Sequence, residues 1–162
     1  MTLTDEGHYG PKQLNLLKTI WGEGFLSPGG SDEIDEIVKN IDVKNLNILD
    51  IGCGCGGAAL HLINHHNASF VKGIDVEPLV IQRAKELASK RGLSDKTKFE
   101  LVSPGPIDFE DESIDMVFSK ETFLQNVRTY GAVYSVIFQY KRRFSRLRRV
   151  IQYITLFQLK NH

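Results

Sequence analysis

The chain has 162 residues, 20 Lys and Arg against 20 Asp and Glu, and 41% hydrophobic residues. That length suits one domain with a sizeable core, and because Met1 to Gly10 is polar and charged no early signal or membrane span is expected, so a cytoplasmic location is expected. The balanced charge conceals an asymmetry. Up to Gln125 there are 12 basic and 20 acidic residues, a sum of −8, whereas Asn126 to His162 hold eight basic residues and no acid, a sum of +8. This break separates residues 1–125, expected to form the folded domain, from residues 126–162, a basic and aromatic-rich segment of different character.

Gln13 to Trp21 places Leu14, Leu17 and Trp21 at helical spacing, with Leu16 and Ile20 widening the face, which predicts a short amphipathic helix ending at Gly22. The run Gly24-Phe25-Leu26-Ser27-Pro28-Gly29-Gly30 is a loop by its glycines and proline. Ser31 reads as the N-cap of a second helix, with Asp32, Glu33 and Asp35 in its first turn and Ile34, Ile37, Val38 and Ile41 as its buried stripe. These helices are expected to cover the edge of a sheet, as a lid or as ordinary capping helices.

The next stretch, Asn47-Ile48-Leu49-Asp50-Ile51-Gly52-Cys53-Gly54-Cys55-Gly56-Gly57, carries the clearest pattern. A short apolar run breaks into alternating glycines and a helical pattern follows from Ala58 to His66, so strand, tight loop and helix are predicted. Glycines there let the backbone turn sharply and let a ligand approach, with free N–H groups of the helix start facing it. Two cofactors fit this cradle. Gly52, Gly54 and Gly57 satisfy the G-x-G-x-x-G dinucleotide spacing, with Asp75 placed as a ribose-binding acid. In the competing frame Asp50 stands two residues ahead of a G-x-G-x-G loop, which resembles motif I of class I S-adenosylmethionine methyltransferases. The second frame is preferred, because a carboxylate in the pocket suits the amino end of that cofactor and repels a pyrophosphate. A tight turn with no ligand is the plain alternative.

Cys53 and Cys55, the only cysteines, have a C-x-C spacing that makes neither a zinc site nor a disulfide, and read as small fillers. His61, His65 and His66 follow. Two of them lie at i, i+4, but with no third ligand or matching carboxylate evident they read as a solvated helix face, and no metal is expected. Phe70 to Ile74 is a second strand closed by Asp75 and Glu77. Pro78 opens a helix with Val80, Ala84, Leu87 and Ala88 as its stripe and Gly92 at its end. Lys98 to Val102 is a third strand, the turn Ser103-Pro104-Gly105-Pro106 and an acidic loop follow, and Ile114 to Ser119 is a fourth. Strands alternating with helices of this length predict an α/β fold with a parallel sheet, helices on both faces, and a ligand at the carboxyl ends of the strands.

Four blocks, Trp21-Gly22-Glu23-Gly24-Phe25-Leu26-Ser27-Pro28-Gly29-Gly30, Leu49-Asp50-Ile51-Gly52-Cys53-Gly54, Gly73-Ile74-Asp75 and Phe118-Ser119-Lys120-Glu121, resemble the phosphoethanolamine N-methyltransferase group and related small-molecule methyltransferases. The likeness spans roughly Tyr9 to Gln125, and the first block is more specific than the glycine loop. It implies a Rossmann-like class I methyltransferase sheet and S-adenosylmethionine as cofactor. On this resemblance Asp50, Gly52 and Gly54 line the cofactor, Asp75 holds the ribose hydroxyls with Val76 beside it, and Ser27, Gly29 and Gly30 close over the methionine part. Ser119 joins this cofactor set. Tyr9 stands where the family carries an active-site tyrosine. Gln125 takes the position of a histidine that helps hold the acceptor and manage its proton, a base role that glutamine lacks. Ser103 replaces the acid usual after the third strand.

The implied reaction is methyl transfer to a small-molecule acceptor, an amine nitrogen of phosphoethanolamine type, attacking the methyl carbon in line within a dry pocket. After Gln125 the family's next helix, its glycine turn and its fifth strand have no counterpart, so the sheet is expected to be incomplete after the fourth strand. Unless Val133 to Phe138 pairs there, the exposed edge invites oligomerisation. Residues 141–149 offer a basic, aromatic-interleaved surface for nucleic acid or an anionic membrane, and an altered or truncated end is the blander and favoured reading. The alternative function is an inactive methyltransferase-like protein that only binds cofactor or associates through this tail.

Overall fold

Five parallel strands form the frame, and their lateral order shows where a ligand belongs. The computed structural model describes residues 9–103, 114–120 and 149–153. The strands are β1 (Asn47–Ile51), β2 (Phe70–Asp75), β3 (Thr97–Leu101), β4 (Met116–Lys120) and β5 (Arg149–Tyr153), arranged β3-β2-β1-β4-β5. The chain builds outward from β1 through β2 to β3, then returns to place β4 on the other flank of β1. Such a reversal opens a crevice at the carboxyl ends of the two strands that flank it.

Burial explains why the central strands read as unbroken apolar runs. Ile48, Leu49, Met116, Val117 and Phe118 are fully enclosed, because β1 and β4 have neighbours on both edges and cover on both faces. In β2 the pattern alternates, and Lys72 reaches Glu100 of β3 at 2.7 Å.

Among the described residues four helices accompany the sheet: α1 (Pro11–Trp21), α2 (Gly30–Val38), α3 (Gly57–His66) and α4 (Pro78–Lys90). Proline at the start of α1 and α4 costs no hydrogen bond, since the first helical N–H groups have no partner in the helix. α3 stops at Asn67, which takes the left-handed conformation, and the N–H of Ala68 returns to the Leu62 carbonyl at 3.1 Å. Ile34 and Val38 of α2 pack with Leu60 and Leu62 of α3, Val71 of β2 and Phe118 of β4 in one core cluster. Burying each such side chain contributes roughly 1.5–3 kcal/mol.

Several boundaries and faces differ from expectation. α2 starts at Gly30 with Gly29 as its N-cap in the left-handed region, so Ser31 sits inside the first turn and caps nothing. In α1 only Leu14 is buried, while Leu16 and Ile20 stand in solvent, so the apolar face is narrower than the sequence pattern suggests. The sheet also continues past the fourth strand, for β5 runs parallel to β4 with Met116 opposite Arg149 and Lys120 opposite Tyr153. β4 is therefore not an edge. The segment Val133 to Phe138, expected as the candidate partner, lies outside the described residues, as does most of the basic stretch 141–149. Among the described residues no helix is long and apolar enough to cross a membrane.

Candidate functional site

The glycine loop leaves β1 at the strand reversal and folds back onto the end of β2. Gly52 and Cys53 donate their N–H groups to the Ile74 carbonyl at 2.8 and 3.1 Å, Gly54 donates to Asp75 Oδ2 at 2.9 Å, and Gly56 donates to the Cys53 carbonyl. The N–H of Gly57, at the start of α3, goes to the carbonyl of Gly24 at 3.0 Å. The expectation of free N–H groups facing a ligand is thus corrected at these five residues. Their hydrogen bonds are used to shape the loop, because a buried turn must satisfy its own amides.

Glycine is required at two of these points by close approach. A Cβ on Gly57 would come within 2.7 Å of the Gly24 backbone, and one on Gly54, where φ is +53°, within 2.8 Å of Leu26 Cδ1. The segment before the sheet therefore lies directly on the cradle. Leu26, Tyr9 and Leu79 pack around Leu14, Cys55 and Val80 on its outer side.

Two carboxylates stand at this end of the sheet. Asp50 is in the central strand, in register between Gly73 and Phe118, and is 2% exposed. Its Oδ2 is buried and has no hydrogen-bond partner among the described residues. Burial, and then the charge of Asp75, push its carboxyl up to about 7. Asp75 differs. Its carboxylate accepts from the amides of Gly54 and of Glu77, the latter at 3.1 Å, and burial still raises it above the usual range. Val76 beside it is well exposed.

Ser119, at the same end of β4, is fully buried and its hydroxyl donates to the Ile51 carbonyl at 3.1 Å, tying β4 to β1. The next residue was missed as a functional group by sequence reasoning. Lys120 Nζ lies 2.6 Å from Glu33 Oε2, donates to Ser27 Oγ at 2.7 Å and to the Pro28 carbonyl at 3.0 Å. One ammonium thus fastens the Ser27 to Gly30 loop and the first turn of α2 to the strand end. The available sequence signal was a lysine ending an otherwise buried strand and an acid in the first turn of a helix after a glycine pair.

The structure brings Asp50, Gly52, Gly54, Asp75 and Ser119 to one end of the sheet, with Ser27, Gly29 and Gly30 joined to that end through Lys120. Gln125 lies outside the described residues. Cys53 and Cys55 are free and buried, and burial pushes both thiols up, that of Cys55 to about 11, so neither is a thiolate nucleophile. A cleft of about 180 Å³ between α1 and α4 is lined by Asn15, Lys18, Arg83 and Glu86, adjoins the cradle at Leu26 and Cys55, and contains neither Asp50 nor Asp75.

The histidines of α3 also need correction. His61 is buried, not solvated, and a carboxylate does meet it: Asp35 Oδ1 is 2.6 Å from His61 Nε2 and 2.7 Å from His66 Nε2. His65 stacks on the His61 ring at 4.3 Å. Asp35 is held below the usual carboxylate range by these two hydrogen bonds.

A parallel sheet reversing beside its first strand, with a glycine loop and two acids at the reversal, defines a doubly wound α/β protein with a small-molecule cofactor cradle. A family model described as a methyltransferase domain matches residues 42–156, 115 of the 162. The chain belongs to this methyltransferase-domain family. Among its relatives, phosphoethanolamine N-methyltransferase 3 of Arabidopsis thaliana is 31% identical over 121 residues, covering 74% of this chain and 24% of the relative. Sterol 24-C-methyltransferase ERG6B of Gibberella zeae is 33% identical over 136 residues, covering 83% and 35%. The structure of Haemonchus contortus phosphoethanolamine N-methyltransferase 2 in complex with S-adenosyl-L-methionine matches with a TM-score of 0.68 and 24% identity, over 82% of this chain and 31% of that one. That last likeness speaks to the fold alone. The resemblance drawn from the four sequence blocks is thus borne out, and the chain spans about a quarter to a third of the length of these relatives.

Proposed function

We propose that the cradle binds S-adenosylmethionine and that the chain serves methyl transfer to a small amine of phosphoethanolamine type. The observation that carries the cofactor reading is the orphaned oxygen of Asp50. A buried carboxylate without a donor is costly, and a ligand ammonium placed there offsets that cost through a charge-assisted hydrogen bond. A pyrophosphate fits poorly, since it would meet two carboxylates and a loop whose amides at Gly52, Cys53 and Gly54 are already engaged. The donor set therefore suits a cationic amino acid end better than a dinucleotide.

When bound, the cofactor's sulfonium supplies an electrophilic methyl group. The residues of this chain bind and orient. Asp50 holds the ammonium and Asp75, with lone pairs beyond those taken by Gly54 and Glu77, accepts from the ribose hydroxyls. Lys120 keeps the Ser27 to Gly30 loop and α2 at the strand ends. Leu26, lying over Gly54, excludes water from that side, which strengthens the polar contacts inside. Tyr9, packed against the cluster of Leu14, Cys55 and Val80, is assigned to the acceptor side, together with Gln125. The relatives include enzymes named for nitrogen and for carbon acceptors, so the amine rests on the phosphoethanolamine-type sequence blocks.

The test is calorimetric titration of the full chain with S-adenosylmethionine and, separately, with NAD. Micromolar binding of the first alone is expected, whereas binding of NAD or of neither by a folded sample overturns the reading. For the acceptor, Tyr9→Phe is expected to lower turnover of a phosphoethanolamine-like amine, and unchanged turnover removes Tyr9 from the site.

A further inference from the structure

Among the described residues, one cluster of metal-ligating side chains that the methyl-transfer reading leaves unused joins α2 to α3. We propose that Asp35, His61 and His66 form a binding site for a divalent transition-metal ion of the zinc class, which staples α2 to α3. One ligand atom from each of the three lies within 4.8 Å of the other two, and Asp35 Oδ1 is 2.6 and 2.7 Å from Nε2 of His61 and His66. Three nitrogen and oxygen donors of this kind, with a fourth position left to water, are the ligand set of an open tetrahedral zinc site. Imidazoles select against magnesium and calcium, which take oxygen ligands.

The geometry requires side-chain adjustment and no backbone movement. Tetrahedral ligands at about 2.0–2.1 Å from zinc stand about 3.3 Å apart, so the 2.6 and 2.7 Å separations of Asp35 from the two rings must open by about 0.6–0.7 Å, and any ligand pair at the 4.8 Å limit must close by about 1.5 Å. Asp35 is 52% exposed and His66 24%, so both can shift, and the ion would reach them from solvent. His61, in contrast, is fixed. It is buried in α3 and its ring is stacked against His65, which holds one ligand in place. An ion there takes the place of the direct contacts between Asp35 Oδ1 and the two Nε2 atoms.

Position gives the site its consequence. Two residues before Asp35 in the same helix, Glu33 meets Lys120 at the carboxyl end of β4. An ion on Asp35 therefore anchors the helix whose first turn carries Gly30 and Glu33. The proposal is independent of what the cradle binds.

Zinc uptake by the chelator-treated full chain tests it. One zinc ion per chain is expected, with a rise of several degrees in melting temperature that magnesium and calcium do not reproduce. The cobalt-substituted protein should show d–d absorption of a nitrogen and oxygen site without a thiolate charge-transfer band. Asp35→Asn and His66→Ala, at exposed or half-buried positions that the fold tolerates, should each weaken zinc by more than the roughly 10–100-fold that outer-shell changes cost. Failure of the folded wild type to take up zinc, a thiolate band that moves the ion to Cys53 and Cys55, or unchanged affinity in both variants overturns the assignment.

Discussion

The carboxyl ends of β1 and β2 carry one aspartate each, and the two are used in opposite ways. At the end of β2, Asp75 accepts two backbone N–H groups and so builds the glycine loop. At the end of β1, Asp50 is more deeply buried and its Oδ2 has no donor among the described residues. The difference teaches that a buried acid can be part of the scaffold or a vacancy in its hydrogen bonding, and that only the second kind demands a ligand.

The largest effect is expected where a partner is removed from a satisfied acid. Lys120→Met leaves the partly buried Glu33 without this ammonium, and a loss of about 3 kcal/mol in urea unfolding is expected. Loss of less than about 0.5 kcal/mol would show that the pair contributes no more than a surface ion pair. Asp75→Ala should follow, at about 2–3 kcal/mol without ligand, because the Gly54 and Glu77 amides lose their acceptor. The same change should weaken S-adenosylmethionine by about 1.5–3 kcal/mol, and an unchanged dissociation constant would remove Asp75 from the ribose site.

Asp50→Asn should act in the reverse sense on the free protein. The folded carboxyl lies near 7 against an unfolded value of about 3.9, so its protonated form favours folding at low pH, and that contribution is lost as pH rises through about 7. The variant should thus be more stable than the parent by about 1–2 kcal/mol at pH 8, with the gain vanishing toward pH 4, while cofactor affinity falls. A destabilised variant at pH 8 would mean that Asp50 is a scaffold acid like Asp75. The smallest effect is a pH dependence of binding. An ammonium favours ionised Asp50, so affinity should climb by at most about tenfold per pH unit up to about pH 7 and then level off. It should fall again once the cofactor's own amine, at about 7.7–8.0, loses its proton. A flat calorimetric profile between pH 5 and 7 would separate the ammonium from Asp50.

What was legible in the chain follows from distance along it. Asn47–Ile51, the glycine loop and α3 are contiguous, so strand, turn and helix each announce themselves by spacing, and α4 does so through Pro78 and its Val80, Ala84, Leu87 and Ala88 stripe. The family likeness belongs with these, because its blocks are local, and three of the four lie within residues 42–156 that the methyltransferase-domain model matches. The faces of α1 were less legible, since periodicity marks an apolar side without showing what covers it.

By itself, then, the sequence determined the parallel α/β class, the cradle and the acids beside it, through local periodicity and the conformations that glycine permits. Tertiary structure alone decided the rest. Asp35 reaches His61 across 26 residues and Lys120 reaches Ser27 across 93. β5 joins β4, and Asp75 rather than Asp50 receives the loop amides. Those outcomes depend on which side chains the sheet order and helix packing bring within hydrogen-bond reach, and burial then sets what each must find as a partner.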